Sequence, residues 1–457
     1  MAQSVQNLRK KHPRFIYQSF KITPIDKDLK ISFKFKTEPN ISFSPSIIIK
    51  GLPSSSLNNL DPNILENFAF HLGLMEIPSY WKATCSPEIV IEAGFLNKDQ
   101  IGWWKNLILR GMGEFFYQNK INLTEPNFFS IKLENSSKEE NPCFKGQFNP
   151  QKILVPIAGG KDSAVALEIL KETRGNIKCF SLNPTKAAKR IMKLRGCIKP
   201  IIVNREIDPK LLELNKKGYL NGHTPFSAYL AFLSFTCAFL FGYGKIAFAN
   251  ERSADEGNLT YLGEEVNHQY SKSFDFEQKF RGYSQNYLAK NIDYFSLFRP
   301  LFEIQIAKLF VNYPQYLPVF RSCNKYQKTD SWCGRCPKCV FVFTVLYPFL
   351  EPKRLVKVFG EDLFKKKTTL QIIKQLIERG KQKPFECVGT KEETLIALFL
   401  SLKKSKQAPL PLVLQYLKEK VFPKHPDLET RAKKILASWD QENNLPSNLA
   451  EILKKKI

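Results

Sequence analysis

Residues 153–163 read ILVPIAGGKDS: an apolar run closes on two glycines and passes at once to Lys, Asp and Ser. The apolar part predicts a buried strand, and Asp162 to Thr173 predicts a helix. A strand that turns on glycines into a helix makes a cradle for an anion. Gly159 and Gly160 lack Cβ atoms, so backbone N–H groups can close around a phosphate, and the positive end of the helix faces it. Lys161 adds a mobile positive charge. A Walker A loop needs four residues between its first two glycines, so the transport-ATPase and GTPase readings are excluded.

Working outward, strand Lys152–Ile157, helix Asp162–Thr173, strand Ile177–Leu182, helix Thr185–Leu194 and strand Pro200–Asn204 alternate as βαβαβ. This predicts an α/β fold with a parallel sheet and right-handed crossovers. Ligands in such sheets lie at the carboxyl ends of the strands, so the glycine loop and Ser181–Pro184 should share one crevice. The loop resembles the PP-loop of the ATP pyrophosphatases, written SGGKDS. Here Ala158 replaces the first Ser, which removes a hydroxyl donor worth about 1 kcal/mol. The resemblance implies ATP cleavage between the α and β phosphates. It also implies an ATP site of Ala158, Gly159, Gly160, Lys161, Asp162 and Ser163, with Leu182 and Asn183 bordering the adenine.

Upstream, Phe15–Gly51 alternates β-branched and aromatic runs with Pro, Asn and Ser breaks, which predicts antiparallel strands. Leu65–Leu74 and Gln100–Phe116 predict helices, and the polar stretch Leu133–Cys143 reads as a connector. The expected organisation is an α+β N-terminal region over 1–145, the PP-loop domain over 146–350 and a helical, Lys-rich C-terminal region over 351–457.

A chain of 457 residues and 52.7 kDa suggests about three domains. Its formal charge of +26 suits RNA, an anionic surface or a multiply phosphorylated small substrate. Much of the excess is Lys in short runs, such as Lys365–Lys367 and Lys454–Lys456, which reads as solvated helix faces. A nucleic-acid partner is therefore not expected. Arg9–Lys11 are followed by no apolar segment of signal-peptide type, and Phe226–Gly242 reads as a buried helix rather than a membrane span. The expected compartment is the cytoplasm, with no transmembrane segment.

Four of the ten cysteines fall in Cys323, Cys333, Cys336 and Cys339, the last three each two residues apart. Two residues between thiolates form a knuckle that turns both sulfurs toward one ion, with Gly334 and Pro337 supplying the turn. A closed four-thiolate zinc site of structural type leads this reading, and an iron–sulfur cluster is the alternative. A similar cysteine set occurs in 7-cyano-7-deazaguanine synthase, another PP-loop enzyme. A nucleobase- or tRNA-modifying PP-loop enzyme is accordingly the rival function.

Asn250–Lys272 packs Asn, Glu, Arg, Ser, His, Tyr and Lys directly after a predicted strand. Asn250, Glu251, Arg252 and Ser253 should project into the crevice, and Gly257 and Asn258 would permit a left-handed turn. His268 can shuttle a proton near neutral pH, while Lys272 and Arg299 can hold carboxylate or phosphate. His223, in NGHTPFS, suits a capping turn or a ligand role equally.

Taken in order, AGGKDS, FSLNP, NGHTPFSA, NERSADEGN, VNHQYSKSFDFE, YFSLFRPLFE, FRSCN, WCGRCPKCVF and PFECVGTKEE resemble the UDP-N-acetylmuramoyl-L-alanyl-L-glutamate epimerases. That resemblance implies ATP- and Mg2+-dependent inversion of the terminal L-glutamate of a UDP-muramoyl dipeptide, with AMP and diphosphate released, in peptidoglycan synthesis. Inversion calls for two proton-carrying groups, and the candidates are Glu251, His268 and Lys272. Substrate binding would fall to His223, Asn250, Arg252, Ser253, Asn258, Asn267, Tyr270, Ser271 and Arg299. The need for ATP is intelligible: the Cα–H beside an ionised carboxylate is a very weak acid, and adenylation removes that charge so that cationic groups can hold an enolate.

Overall fold

The computed structural model describes residues 4–53, 61–125, 128–134, 141–173, 175–327, 329–378, 380–406 and 408–457. Most of the connector read at Leu133–Cys143 lies outside them. The chain builds one large mixed sheet. Its strands are β1 (Arg14–Ile25), β2 (Asp28–Thr37), β3 (Ile41–Phe43), β4 (Ser46–Ile49), β5 (Glu88–Ile91), β6 (Ser130–Leu133), β7 (Asn149–Pro156), β8 (Asn176–Leu182), β9 (Ile201–Glu206), β10 (Tyr243–Glu251) and β13 (Asp293–Phe298). The order is β13-β10-β7-β8-β9-β4-β2-β1-β5-β6, with β3 on β2; β11 (Leu259–Tyr261) and β12 (Glu264–Val266) form a separate hairpin.

The run from β13 to β9 is parallel throughout, as a βαβ alternation demands. The N-terminal strands β1 to β4 pair antiparallel. They do not form a sheet of their own, because β4 joins β9 antiparallel, with Ile47 opposite Arg205 and Ile49 opposite Val203. Both strands are apolar enough to be buried, so pairing satisfies N–H and C=O groups that an edge would leave open.

Alternate residues of β7 face opposite cores. Leu154 packs with the Pro62–Trp81 and Phe226–Phe241 helices. Val155 packs with the Lys161–Lys171 and Pro337–Leu346 helices and with the C-terminal helices. The Phe226–Phe241 helix is apolar on every side and lies in the core, with Cys237 fully buried. Among the described residues no helix is long and apolar enough to cross a membrane. Cys179 in the second parallel strand is disulfide-bonded to Cys197; the sequence carries no spacing motif for that pair.

Candidate active site

The strand β7 ends at Pro156, and the chain turns through Ala158–Gly160 into the Lys161–Lys171 helix. Gly159 has φ +97°, and a Cβ there would come within 2.8 Å of the Ala188 nitrogen, so the turn requires glycine. Gly160 caps the helix without any side-chain hydrogen bond, which leaves first-turn N–H groups free for an anion. The Ser163 hydroxyl accepts from the Ala158 N–H at 3.2 Å, holding the loop closed from within. The Arg321 N–H donates to the Gly159 carbonyl at 2.9 Å, so the segment preceding the cysteines crosses the loop.

A cavity of about 530 Å³ opens at the carboxyl ends of β7, β8, β9 and β10. Ala158, Gly160, Asp162, Ser163, Leu182, Asn183, Asn250, Lys272 and Cys323 of the sequence-predicted residues line it, together with Arg205, Lys338 and Cys387. Asn183 is in the left-handed region, and its amide bridges to the Arg205 backbone at 2.9 and 3.0 Å, which ties the end of β8 to β9.

Lys161 is not the mobile cation that the loop suggested. Its ammonium is 1% exposed and ion-paired with both Asp162 and Glu303. Glu303 in turn lies 3.6 Å from the Lys338 ammonium. Burial alone would push the Glu303 carboxyl up, but Lys161 and Lys338 hold it ionised. Glu251, at the end of β10, behaves oppositely: burial, reinforced by the negative Glu303, pushes it up to about 8 despite Lys272.

Beyond β10 the predicted residues separate. Asn250 donates to the Ser296 hydroxyl at 3.2 Å and faces the cavity. Arg252 turns away, paired with Asp440 at 3.0 Å and stacked over Phe302. Arg299 is fully buried and grips Asp255 at 2.8 and 3.1 Å. The Ser253 hydroxyl accepts from the Glu303 N–H at 3.1 Å, and so positions that carboxylate. Asn258 and Asn267 stitch loops: Asn258 accepts from the His268 N–H at 2.8 Å, and Asn267 donates to the Ala254 carbonyl at 2.8 Å. Tyr270 donates to Asp275 at 2.9 Å, and Ser271 is buried beside it. The left-handed turn expected at Gly257 and Asn258 sits instead at Leu262 and Gly263, where the two-residue β11–β12 hairpin needs positive φ. A Cβ at Gly257 would lie 2.5 Å from the exposed Glu265 side chain, which can swing aside.

His268 and His223 converge on Glu114, with His268 Nδ1 hydrogen-bonded to it and His223 Nδ1 3.7 Å away. Burial and the neighbouring cations keep His223 neutral, at about 3. His268 is raised to about 9 against its burial, by hydrogen bonds to Cys387 and Glu114. One ligand atom from each of Glu114, His223 and His268 lies within 4.8 Å of the others. Lys272 stays charged despite burial, chiefly because of Cys387.

Sequence reasoning missed Cys387, Arg205, Lys338 and Glu303. Cys387 stands alone in PFECVGTKEE, with no spacing partner to mark it; Glu303 closes YFSLFRPLFE between the apolar Phe302 and Ile304, and Arg299 drew the site reading in that stretch instead.

The four clustered cysteines are all free thiols, and their Sγ atoms lie within 4.8 Å of one another. The Tyr326 and Cys339 N–H groups donate to the sulfurs of Cys323 and Cys336 at 3.3 and 3.4 Å. A compact four-sulfur set receiving N–H bonds is the donor chemistry of a tetrahedral thiolate site. The Cys336 side chain also caps the Pro337–Leu346 helix, which carries Lys338 to the cavity wall.

A family model described as the MurL N-terminal domain matches residues 6–297, and one described as the MurL C-terminal domain matches 319–432. The chain is 34% identical over 339 residues to a UDP-N-acetyl-alpha-D-muramoyl-L-alanyl-L-glutamate epimerase of Salinispora tropica, covering 73% of each chain. It is 32% identical over 348 residues to a protein of the same name from Xanthomonas oryzae pv. oryzae, covering 75% of this chain and 76% of that one. No solved structure matches. With both family domains matched in order around this cavity, the chain belongs to the MurL family of epimerases.

Proposed function

We propose that the protein inverts the terminal L-glutamate of UDP-N-acetylmuramoyl-L-Ala-L-Glu to D-glutamate for peptidoglycan synthesis, with ATP cleaved to AMP and diphosphate, in the cytoplasm. The observation that carries this reading is one cavity lined both by an anion-type loop, Gly160, Asp162 and Ser163, and by two side chains able to exchange a proton, Lys272 and Cys387. In this reading a PP-loop of Ala158–Ser163 receives the ATP phosphates on backbone N–H groups, and Leu182 and Asn183 border the adenine. Asp162, a cavity-lining carboxylate, suits Mg2+ carried by those phosphates.

The α-carboxylate of the glutamate would be converted to an acyl adenylate. Loss of its negative charge acidifies the Cα–H, and the Lys272 ammonium stabilises the enolate that follows. Glu251, a buried carboxyl raised to about 8, and His268 complete the proton-carrying set. Hydrolysis then returns the acid. Arg205 and Lys338, both at the cavity wall, supply charge for the diphosphate of the UDP moiety. Zinc held by Cys323, Cys333, Cys336 and Cys339 would fix the wall that carries Lys338 and Ser322.

The test is incubation with ATP, Mg2+ and the UDP-muramoyl dipeptide. D-Glutamate released on acid hydrolysis, with AMP and diphosphate formed in step, is the expected result. ADP and orthophosphate, or inversion without ATP, would sink the reading.

A further inference from the structure

Cys387 comes from the segment between the Lys367–Ile377 and Lys391–Lys404 helices, more than a hundred residues after the polar segment at β10. The fold nevertheless brings it to the cavity, where it lies half-buried alongside Lys272, Asn250 and Lys338. Lys272 and the His268 ring are the cationic groups that act most strongly on its sulfur. Behind it, His268 is held by Glu114 through Nδ1 and by the Asn258 side chain through its N–H. The next side chain, Glu386, is turned away to accept from the Lys338 N–H at 2.7 Å. The thiol thus shares one cavity wall with two cationic side chains, Lys272 and Lys338, and opens on space a substrate can enter.

We propose that the Cys387 sulfur is a catalytic base of this enzyme, removing the Cα proton of the activated L-residue while the Lys272 ammonium on the same cavity wall holds the enolate. The proposal rests on the activated-acyl reading above. In the step, the Cα–H bond breaks and an S–H bond forms, while the electron pair passes into the activated acyl group as an enolate. A water molecule entering the open cavity then delivers a proton to the opposite face of the carbon, and the hydroxide it leaves takes the proton from the Cys387 thiol, so the thiolate is restored with no net change. Burial would by itself raise the thiol, but Lys272, His268 and Lys338 bring it down to about 5, so the thiolate is the resting form at neutral pH. Sulfur is well matched to this role, since a thiolate abstracts a proton from carbon without the strong hydration that a carboxylate must shed.

The experiment uses full-length protein with the UDP-muramoyl L-Ala-L-Glu dipeptide, ATP and Mg2+ in deuterated water. Wild-type protein should place deuterium at the glutamate Cα and form D-glutamate. Cys387→Ser should lower both by about 100- to 10,000-fold, the range a proton-transfer group contributes, while AMP and diphosphate formation stays within about fivefold. Retained AMP formation also shows that the variant is folded. Deuterium incorporation at the wild-type rate, or loss of AMP formation together with exchange, overturns the role of Cys387. Wild-type protein that incorporates no deuterium with ATP present overturns the underlying reading instead. Independently of any variant, iodoacetamide at pH 6.5 should label Cys387 at least about tenfold faster than the core thiol Cys237, and ATP with the dipeptide should slow it. A Cys387 no more reactive than Cys237 also overturns the proposal.

Discussion

The Lys161 ammonium and the Glu303 carboxylate form an ion pair in which the two side chains are 1% and 3% exposed. A buried pair of this kind is strongly asymmetric in its energetics, because removing one partner strands the other charge without water. It also joins the phosphate-type loop to the helix that follows β13, so it ties chemistry to fold.

Lys161→Met should therefore destabilise the protein by about 3 kcal/mol, and adding Glu303→Gln should recover part of that loss. Denaturant unfolding of the two variants measures it. Both variants should also release diphosphate more slowly, because the buried pair anchors the first turn of the helix on which the loop closes. A double variant less stable than the single one would contradict the pairing.

Purified protein should contain one equivalent of zinc, lost in Cys336→Ser. Removal of the metal should lower the melting temperature as well as activity, because Cys336 caps the Lys338-bearing helix and is one of the four proposed ligands. Elemental analysis and thermal melts check this. Stoichiometric iron with visible absorption would replace zinc by a cluster.

Glu251 gives a pH signature. In the folded protein its carboxyl keeps a proton up to about 8, whereas the unfolded chain releases it near 4.5. Between those values the folded state binds the extra proton, so wild-type stability relative to Glu251→Gln should fall as pH rises from 4.5 to about 8, and level off on either side. Paired melts at stepped pH would reveal it. A difference that is flat across that window means Glu251 is ionised in the fold.

Arg205 meets Glu76 through two bonds, at 2.7 and 2.5 Å, and also bonds Ser79 at 2.9 Å. Glu76→Ala should cost about 3–5 kcal/mol, since Glu76 is fully buried and its loss leaves a guanidinium unpaired at the cavity wall. Chemical denaturation gives the number; a cost under about 1 kcal/mol would mean the pair behaves as a surface bridge.

The parallel sheet was legible because strand, glycine turn and helix are local events, each written within a dozen residues of Ile153. The cysteine knuckle was legible for the same reason. Side-chain destinations were not. Arg252 and Arg299 have the composition of anion binders, yet Asp440 and Asp255 take them. The reverse holds for Cys387 and Glu303, which gain their chemistry from neighbours that only the tertiary fold supplies. That β4 would close on β9 was equally unreadable, since any apolar edge strand satisfies the same pattern.

That single seam has a practical meaning for anyone who wants to divide the gene. Its four residue pairs, Ser46 to Ile49 against Glu206 to Val203, are the ladder joining the first strands to the rest, and Arg205 lies within it. A fragment beginning at residue 146 would present β9 as a naked template for other chains and would take the counter-charge away from Arg205. Cutting there would yield sticky halves rather than modules, so swaps between relatives should carry residues 14–206 as one cassette.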